Sequence, residues 1–330
     1  MAAWLGRRFA YALLTFFGIT VAVFVLIRAV PGDPVTYYLM QSGRGMSAPP
    51  EVIEQIRKTH RLDRPVVIQY AHWLANLARL DLGTSFVDRR PVRDRIVEKL
   101  PNTLVLNGAA LLLALLLALP AGIFGAARPG HWLDRISGVS FLLLYSLPTY
   151  WVALLLMDLL SVRLGWFPLL GANSGNYSDL SGIEKLVDRI WHLILPVTTL
   201  AYGQFAFFAR FARSSMREVM GSEYLVAARA RGIGETRLIL SHALRNALIP
   251  LVTVLGVSVP FLLSGSVIVE TLFAWDGLGR MYYTAVLARD YPVVMGMTVV
   301  TAVMTLTAYL ITDALYPIVD PRVRLGAREA

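Results

Sequence analysis

The chain has 330 residues, 56% of them hydrophobic and only 16% charged, with a mean hydropathy of +0.57. A water-soluble protein of this size needs about 25% charge to clothe its surface, so soluble domains are excluded as the main organisation. There is no cysteine, which removes disulfide scaffolds, thiolate metal sites and cysteine nucleophiles. The formal charge of +9 is an arginine charge, since only Lys58, Lys99 and Lys185 among the 31 basic residues are lysine. Basic residues set between long apolar runs do not read as a nucleic-acid surface.

Six stretches carry no charge: 9–27, 100–127, 136–157, 190–209, 246–269 and 291–312. A membrane-spanning helix needs ~20 mostly apolar residues. In lipid, every backbone polar group must be paired within the segment. The sequence therefore predicts an all-α polytopic membrane protein with six transmembrane helices.

Residues 1–28 read as an N-terminal anchor helix. Its apolar run is longer than the roughly 7–15 residues of a signal-peptide core, and it ends in Arg28 and Pro31-Gly32-Asp33-Pro34 without a small-x-small site, so it is expected to be retained. The two prolines and the glycine predict a tight turn there. Residues 29–99 form an extracytoplasmic segment with two amphipathic stretches. Residues 51–60 put Val52, Ile53 and Ile56 on one side; residues 66–80 put Val67, Ala71, Leu74 and Leu77 on another, with Tyr70 and Trp73 nearby. These predict short helices on the membrane surface or over the bundle, or equally a solvated cap.

Residues 100–318 read as a five-helix transmembrane core. Pro120, Pro148, Pro196, Pro250 and Pro260 interrupt its helices, which lipid tolerates where a cavity or a neighbouring helix satisfies the freed backbone. Ser146, Pro148, Thr149 and Tyr150, with Ser258 beside Pro260, are the candidate translocation path; the alternative is a set of kinks that only shapes packing. Residues 164–178 read as a loop. Within 213–243, Ser222 predicts a cap for a helix beginning near Glu223 and stopping at Gly232-Ile233-Gly234, followed by a second helix from Glu235 towards Asn246. The candidate docking residues are Glu223, Tyr224, Ala227, Ala228, Arg229, Arg231 and Gly232. Small side chains admit a partner's backbone; Ala228 and Gly232 share one helix face, with Arg229 and Arg231 flanking it for acidic groups on a partner. The plainer reading is an arginine-rich loop that only fixes topology. Glu270 closes the fifth run. Glu270, Phe273, Trp275, Gly277 and Gly279 predict a short outer helix or re-entrant turn, a candidate outer gate, or else an aromatic belt at a helix end. Residues 319–330 form a tail.

Orientation follows from Lys and Arg in the short connecting segments. With the N-terminus inside, the inner segments carry 14 and the short outer loops only five (Arg163, Lys185, Arg189, Arg280, Arg289). Both termini are therefore expected in the cytoplasm. No G-x-x-x-x-G-K-[ST] loop, H-E-x-x-H or G-x-S-x-G occurs, and the five histidines are scattered. No catalytic or metal-ligating residue is assigned. Asp158 and Asp313 are the ionisable residues nearest membrane depth, both close to predicted helix ends.

The order of short motifs resembles the membrane permease subunits of ABC importers, within the dipeptide/oligopeptide/nickel family, along nearly the whole chain. It runs from Pro31-Gly32-Asp33-Pro34 through Gln69-Tyr70, Trp73-Leu74, Asp81-Leu82-Gly83-Thr84-Ser85, Pro91-Val92 and Leu100-Pro101-Asn102-Thr103-Leu104. Tyr224–Gly232 and His242–Pro250 are similar to the family's cytoplasmic coupling loop; Val269–Phe273, Gly277-Leu278-Gly279 and Arg289-Asp290-Tyr291-Pro292 complete the series. There are two departures: Val226 stands where the general importer loop has Glu, and Leu80 where Gly is more usual. The resemblance implies a pore-forming permease of the bacterial cytoplasmic (inner) membrane. It would pair with a homologous second permease, two cytoplasmic ATPase subunits holding ATP and Mg, and an extracytoplasmic substrate-binding protein; the chain itself would carry no cofactor. The implied cargo is di- or oligopeptide, alternatively nickel chelate or glutathione. A self-sufficient secondary transporter or channel is the competing reading. It is disfavoured by the shortage of buried charges; the lack of convincing internal duplication implies that the second half of the bundle comes from another chain, since transporter sites lie between two repeats.

Overall fold

The computed structural model describes residues 2–29, 50–59, 63–127, 130–264 and 266–319. Its helices are α1 (Ala2–Ala29), α2 (Pro50–Thr59), α3 (Val66–Ala78), α4 (Val92–Ala127), α5 (Trp132–Ser146), α6 (Thr149–Leu156), α7 (Gly182–Met220), α8 (Glu223–Ala230), α9 (Leu244–Ser264), α10 (Val267–Leu272), α11 (Leu278–Leu287) and α12 (Tyr291–Val319). One π-helical turn, Met157–Arg163, extends α6; another, Leu238–Ala243, leads from the single turn Glu235–Arg237 into α9. The expected turn at Pro31–Pro34 and residues 320–330 of the tail lie outside the described residues, as does the side chain of Asp313.

Five helical stretches are long and apolar enough to cross a membrane: Gly6–Ala29, Val92–Ala127, Gly182–Met220, Glu235–Gly256 and Tyr291–Thr312. The third uncharged run is not a straight span. Gly138–Ser146 and Thr149–Arg163 meet at 95°, making a sixth span only as a broken pair. Pro148 has no N–H to continue the helix and disfavours helical geometry at Leu147; it sits at φ −64°, ψ 134°. The bend is tied from outside by the Tyr202 hydroxyl, which donates to the Leu147 carbonyl at 2.7 Å. The other expected interruptions do not break their helices: α4 runs through Pro120, α7 through Pro196, and α9 through Pro250 and Pro260.

The centre of the bundle is α4 against α7. Leu106, Ala110, Ala114, Ala118, Gly122 and Ala126 recur every four residues or so along α4 and are buried. They face Val197, Ala201, Ala206, Ala209 and Ala212 of α7. Lipid offers no hydrophobic drive between helices, so close backbone approach through small residues does the holding. At Gly122 a methyl would stand 2.7 Å from the Ala209 carbonyl oxygen and 2.8 Å from the Ala212 Cβ. Helix α9 packs on α12, where Thr312 Oγ1 donates to the Gly256 carbonyl at 3.1 Å, and α1 lies along α12 on the outside.

These helices define two poles. One gathers the starts of α4, α7 and α12 with α10, α11 and residues 80–91; the other gathers the ends of α4 and α7 with α8 and the start of α9. Helix α3 joins the first pole through its aromatics. Tyr70 packs edge-on to Phe24 with centroids 5.3 Å apart, and its hydroxyl lies 3.0 Å from Thr20 Oγ1. Val67 and Ala71, expected on the packed face, point outward instead, Val67 being 78% exposed. The wide rings of Tyr70 and Trp73 reach α1 and set the rotation of the helix.

Candidate functional site

At the second pole, α8 begins at Glu223 as the sequence predicts and ends at Ala230. Ser222 occupies the position before it, but its hydroxyl turns back to the Val219 carbonyl at 2.5 Å instead of capping. The stop comes from Gly232, at φ +80°, a conformation that favours glycine. Leu225 is fully buried in a cluster with Ala126, Met216, Leu238, Ala243 and Ala247, and Ala228 packs against the same cluster. This fixes which way α8 faces. Ala228 therefore turns inward, away from the face expected to pair it with Gly232, and the exposed face of α8 carries Tyr224, Ala227 and Arg231, with Val226 beside it. Arg229 does not wait for a partner: its Nε lies 2.7 Å from Glu235 Oε1 within the loop. Exposed as it is, that pair adds at most about 1 kcal/mol. Asn246 Nδ2 donates to the Tyr224 hydroxyl at 2.7 Å and ties α8 to α9. Glu223 lies in the first turn of α8, where a carboxylate suits the helix dipole.

The first pole is a lattice of tied segments. Glu270 is completely buried on α10. Its Oε1 accepts from Thr103 Oγ1 at 3.1 Å, and its Oε2 from the Arg280 N–H at 3.0 Å. Thr103 Oγ1 in turn accepts from the Leu278 N–H at 2.8 Å. Burial pushes the Glu270 carboxyl above the ordinary glutamate range, while these hydrogen bonds pull the other way. Gly277 leaves room for the arrangement: a methyl there would stand 2.5 Å from Glu270 Oε2 and 2.6 Å from Thr103 Oγ1. Gly279 likewise lies against the backbone of Ser266 and Val267. Trp275 is fully buried and donates from Nε1 to the Asn102 carbonyl at 3.0 Å; Phe273 is buried with Ala153, Leu195 and Val269. So the side chains of Glu270, Phe273 and Trp275 lie inside this chain and offer no surface to a docked protein. The exposed member of the segment is Asp276, held by Lys99 Nζ at 2.5 Å.

A second knot joins motifs far apart in the chain. Asp290, 1% exposed, accepts from Ser85 Oγ at 2.5 Å and from the Phe86 N–H at 3.0 Å, with Arg95 Nη1 at 3.6 Å. Arg95 also donates to Ser85 Oγ at 3.0 Å. Asn102 bridges a third junction, donating to the Asp276 carbonyl and accepting from Arg189 Nη2. Sequence reasoning quotes Asp81–Ser85, Asn102-Thr103 and Arg289-Asp290 for their resemblance alone and gives them no task; their pairing is visible only in three dimensions. The unusual Leu80 lies at φ +60°, so the position has the glycine geometry without the glycine.

Of the candidate path residues, Ser146, Pro148, Thr149 and Tyr150 come together at the α5–α6 bend, with Tyr150 52% exposed. Ser258 sits apart on α9, which packs against α4, α7 and α12. Both serine hydroxyls donate to their own helices, Ser146 to Leu142 at 2.8 Å and Ser258 to Val254 at 2.9 Å, which leaves their lone pairs available. Asp158 is paired with Arg163 at 2.8 Å, a structural explanation that needs no proton relay.

Residues 118–325 match the family described as binding-protein-dependent transport system inner membrane component, and residues 1–107 match the N-terminal part of such membrane components. The chain is 41% identical over 325 residues to the oligopeptide transport system permease protein AppB of Bacillus subtilis (strain 168), covering 98% of this chain and 99% of that one. It is 36% identical over 340 residues to the dipeptide transport system permease protein DppB of Escherichia coli (strain K12), covering 98% and 99%. It is also 36% identical over 310 residues to the glutathione transport system permease protein GsiC of Escherichia coli O6:H1, covering 94% and 95%. Among solved structures, the MetNI methionine ABC transporter in inward facing conformations has a chain similar at a TM-score of 0.51 and 18% identity, covering 68% of this chain and 95% of that one. That last likeness is one of fold.

Proposed function

We propose, from the premise that this chain belongs to the family of inner membrane components of binding-protein-dependent transport systems, that it is one half of the channel of an ATP-driven importer of di- or oligopeptides. The observation that carries the cargo class is the identity of 41% across 98% of the chain with an oligopeptide permease. The similarity to a glutathione permease favours, as a second reading, a small modified peptide. In this reading the α8 pole faces the cytoplasm, in line with the excess of arginine in the segments assigned to that side. The Tyr224–Ala227–Arg231 face docks on a separate ATPase subunit, which holds ATP and Mg, and a second such subunit serves a homologous second permease. The opposite pole receives the binding protein. Because Leu225 shares one cluster with the ends of α4 and α7 and the start of α9, displacement of α8 moves all three.

The test is binding-protein-stimulated ATP hydrolysis by the reconstituted importer. Gly232→Trp is a poor probe, since its φ strains any L residue. Ala227→Trp is cleaner: the site is exposed and helical, and a bulky side chain obstructs docking without disturbing the cluster. Stimulated hydrolysis is expected to fall at least tenfold in Ala227→Trp and little in Arg231→Ala. Normal assembly and hydrolysis in a correctly inserted Ala227→Trp protein would remove α8 from coupling. Uptake of labelled dipeptides against a nickel chelate decides the cargo; import of nickel alone would overturn the peptide reading.

A further inference from the structure

Two cavities lie one below the other along the seam between α1 and α12. The upper, of about 260 Å³, is bounded by the end of α1, by α3, by residues 81–86 and by the start of α12. Among the described residues, the charged side chains in its wall are Arg28 and Asp81, and His72 is its one imidazole. The Arg28 guanidinium lies 5.4 Å from the centre of the Phe24 ring, and among the described residues no carboxylate is within ion-pair distance of it. Asp81 Oδ1 accepts from the Gly83 N–H at 2.8 Å, which leaves its second oxygen to serve the cavity. The lower cleft, of about 560 Å³, is walled by Thr15 and Ile19 of α1 and by Thr298, Thr301, Thr305 and Leu306 of α12.

The two are successive parts of one slot. Tyr291 and Met295 line the upper cavity; Thr298, Ala302, Thr305 and Tyr309 line the lower. Their spacing alternates between four and three residues, so they form one stripe of α12. Along the lower cleft, from Thr298 to Tyr309, the stripe rises ~16 Å, about half the ~30 Å hydrocarbon core, which is the depth of one leaflet. The seam is on the lipid side of the bundle: only 11% of the most apolar window of α1 is buried within the chain. Arg28, Tyr70, Trp73 and Tyr291 at its upper end are residue types that sit at headgroup level.

We propose that this seam holds one phospholipid of the outer leaflet with a zwitterionic phosphoethanolamine head, its phosphate on Arg28, its ammonium beside Asp81 and one acyl chain in the cleft between α1 and α12. One cation and one anion in the wall match a head that carries one of each. A head of net negative charge would leave its excess facing Asp81. Free phosphate would meet Arg28 and leave the cleft empty.

The experiment is native mass spectrometry of the whole importer, stripped of lipid in mild detergent and then supplied with phosphatidylethanolamine, phosphatidylglycerol or inorganic phosphate. One phosphatidylethanolamine is expected to stay with each copy of this chain. Arg28→Gln is expected to lower its retention at least tenfold, and Arg79→Gln, whose side chain is exposed outside the cavity, to leave it unchanged. Thr305→Phe fills the cleft without touching either charge and is expected to cause the same loss, so the test survives if Arg28→Gln fails to assemble. Retention unchanged in Thr305→Phe, or in an assembled Arg28→Gln protein, overturns the proposal. Equal retention of phosphatidylglycerol overturns the headgroup assignment, and phosphate bound in place of lipid overturns the lipid.

Discussion

Thr103→Val removes a hydroxyl while keeping the side chain's shape. The site is fully buried, so water cannot replace what is lost. Two partners lose their bond: the Leu278 N–H, now 2.8 Å from Thr103 Oγ1, and Glu270 Oε1, at 3.1 Å. Leaving a buried donor unsatisfied costs about 1–3 kcal/mol, and withdrawing one donor from a buried carboxylate about 1–2 more, since the Arg280 N–H remains. The sum is about 2–5 kcal/mol. At about 2–4 °C per kcal/mol, the unfolding midpoint should fall by at least about 4 °C. Thr103→Ser keeps both bonds and loses one methyl, worth about 1 kcal/mol. Thermal unfolding of the detergent-solubilised importer, followed by tryptophan fluorescence, separates the two. A Thr103→Val protein that melts with the parent, or one no worse than Thr103→Ser, would refute the claim that this hydroxyl joins α4 to α10 and α11.

Glu270 lies outside the spanning segments, and its carboxyl is raised above the ordinary glutamate value by burial. Its contribution is therefore fully present below that ordinary value and is lost as pH rises through the folded-state value, so the melting temperature should decline from about pH 4.5 upward in the parent. Glu270→Gln should flatten the decline, and an unchanged slope contradicts it. Gly277→Ala should destabilise by about 1–3 kcal/mol because its methyl meets two hydrogen-bonded oxygens; a midpoint equal to the parent's would show that the knot can yield. Leu80→Gly should be neutral or raise stability by up to about 1 kcal/mol, since relief of the left-handed backbone outweighs the added chain entropy and the lost side chain is 74% exposed. A fall in its melting temperature would show that Leu80 makes a contact its exposure hides.

The spans and the limits of α8 are legible in the sequence because each follows from a local rule. Twenty uncharged residues in lipid admit only a helix, and Gly232 can end α8 because a left-handed residue suits glycine. The rotation of α8 is not local: Leu225 fits among Met216, Leu238 and Ala247, and that fit sends Ala228 inward. Prolines show the same divide. Pro120, Pro148, Pro196 and Pro250 carry one chemical signal, yet the 95° bend occurs only at Pro148, where Tyr202 holds the Leu147 carbonyl. Glu270 reads as the charged end of a span, whereas its burial depends on a hydroxyl 167 residues earlier. Ser85 and Asp290, 205 residues apart, leave no periodic trace in a single sequence.

The close seam of α4 and α7 has a mechanical consequence. Between Thr103, tied into one pole, and Ala126, set in the cluster under α8, the two rods touch through alanine and glycine at almost every turn. Neither can slide along the other without driving a side chain into a backbone: even a methyl on Gly122 would stand only 2.7 Å from the Ala209 carbonyl oxygen. A stroke delivered at one end thus travels ~35 Å as the tilt of a stiff beam, with little taken up by stretch or slip. The give in the machine then belongs to its softer joints: the elbow at Pro148 and the two π-helical turns, Met157–Arg163 and Leu238–Ala243, where the hydrogen-bond ladder already changes step.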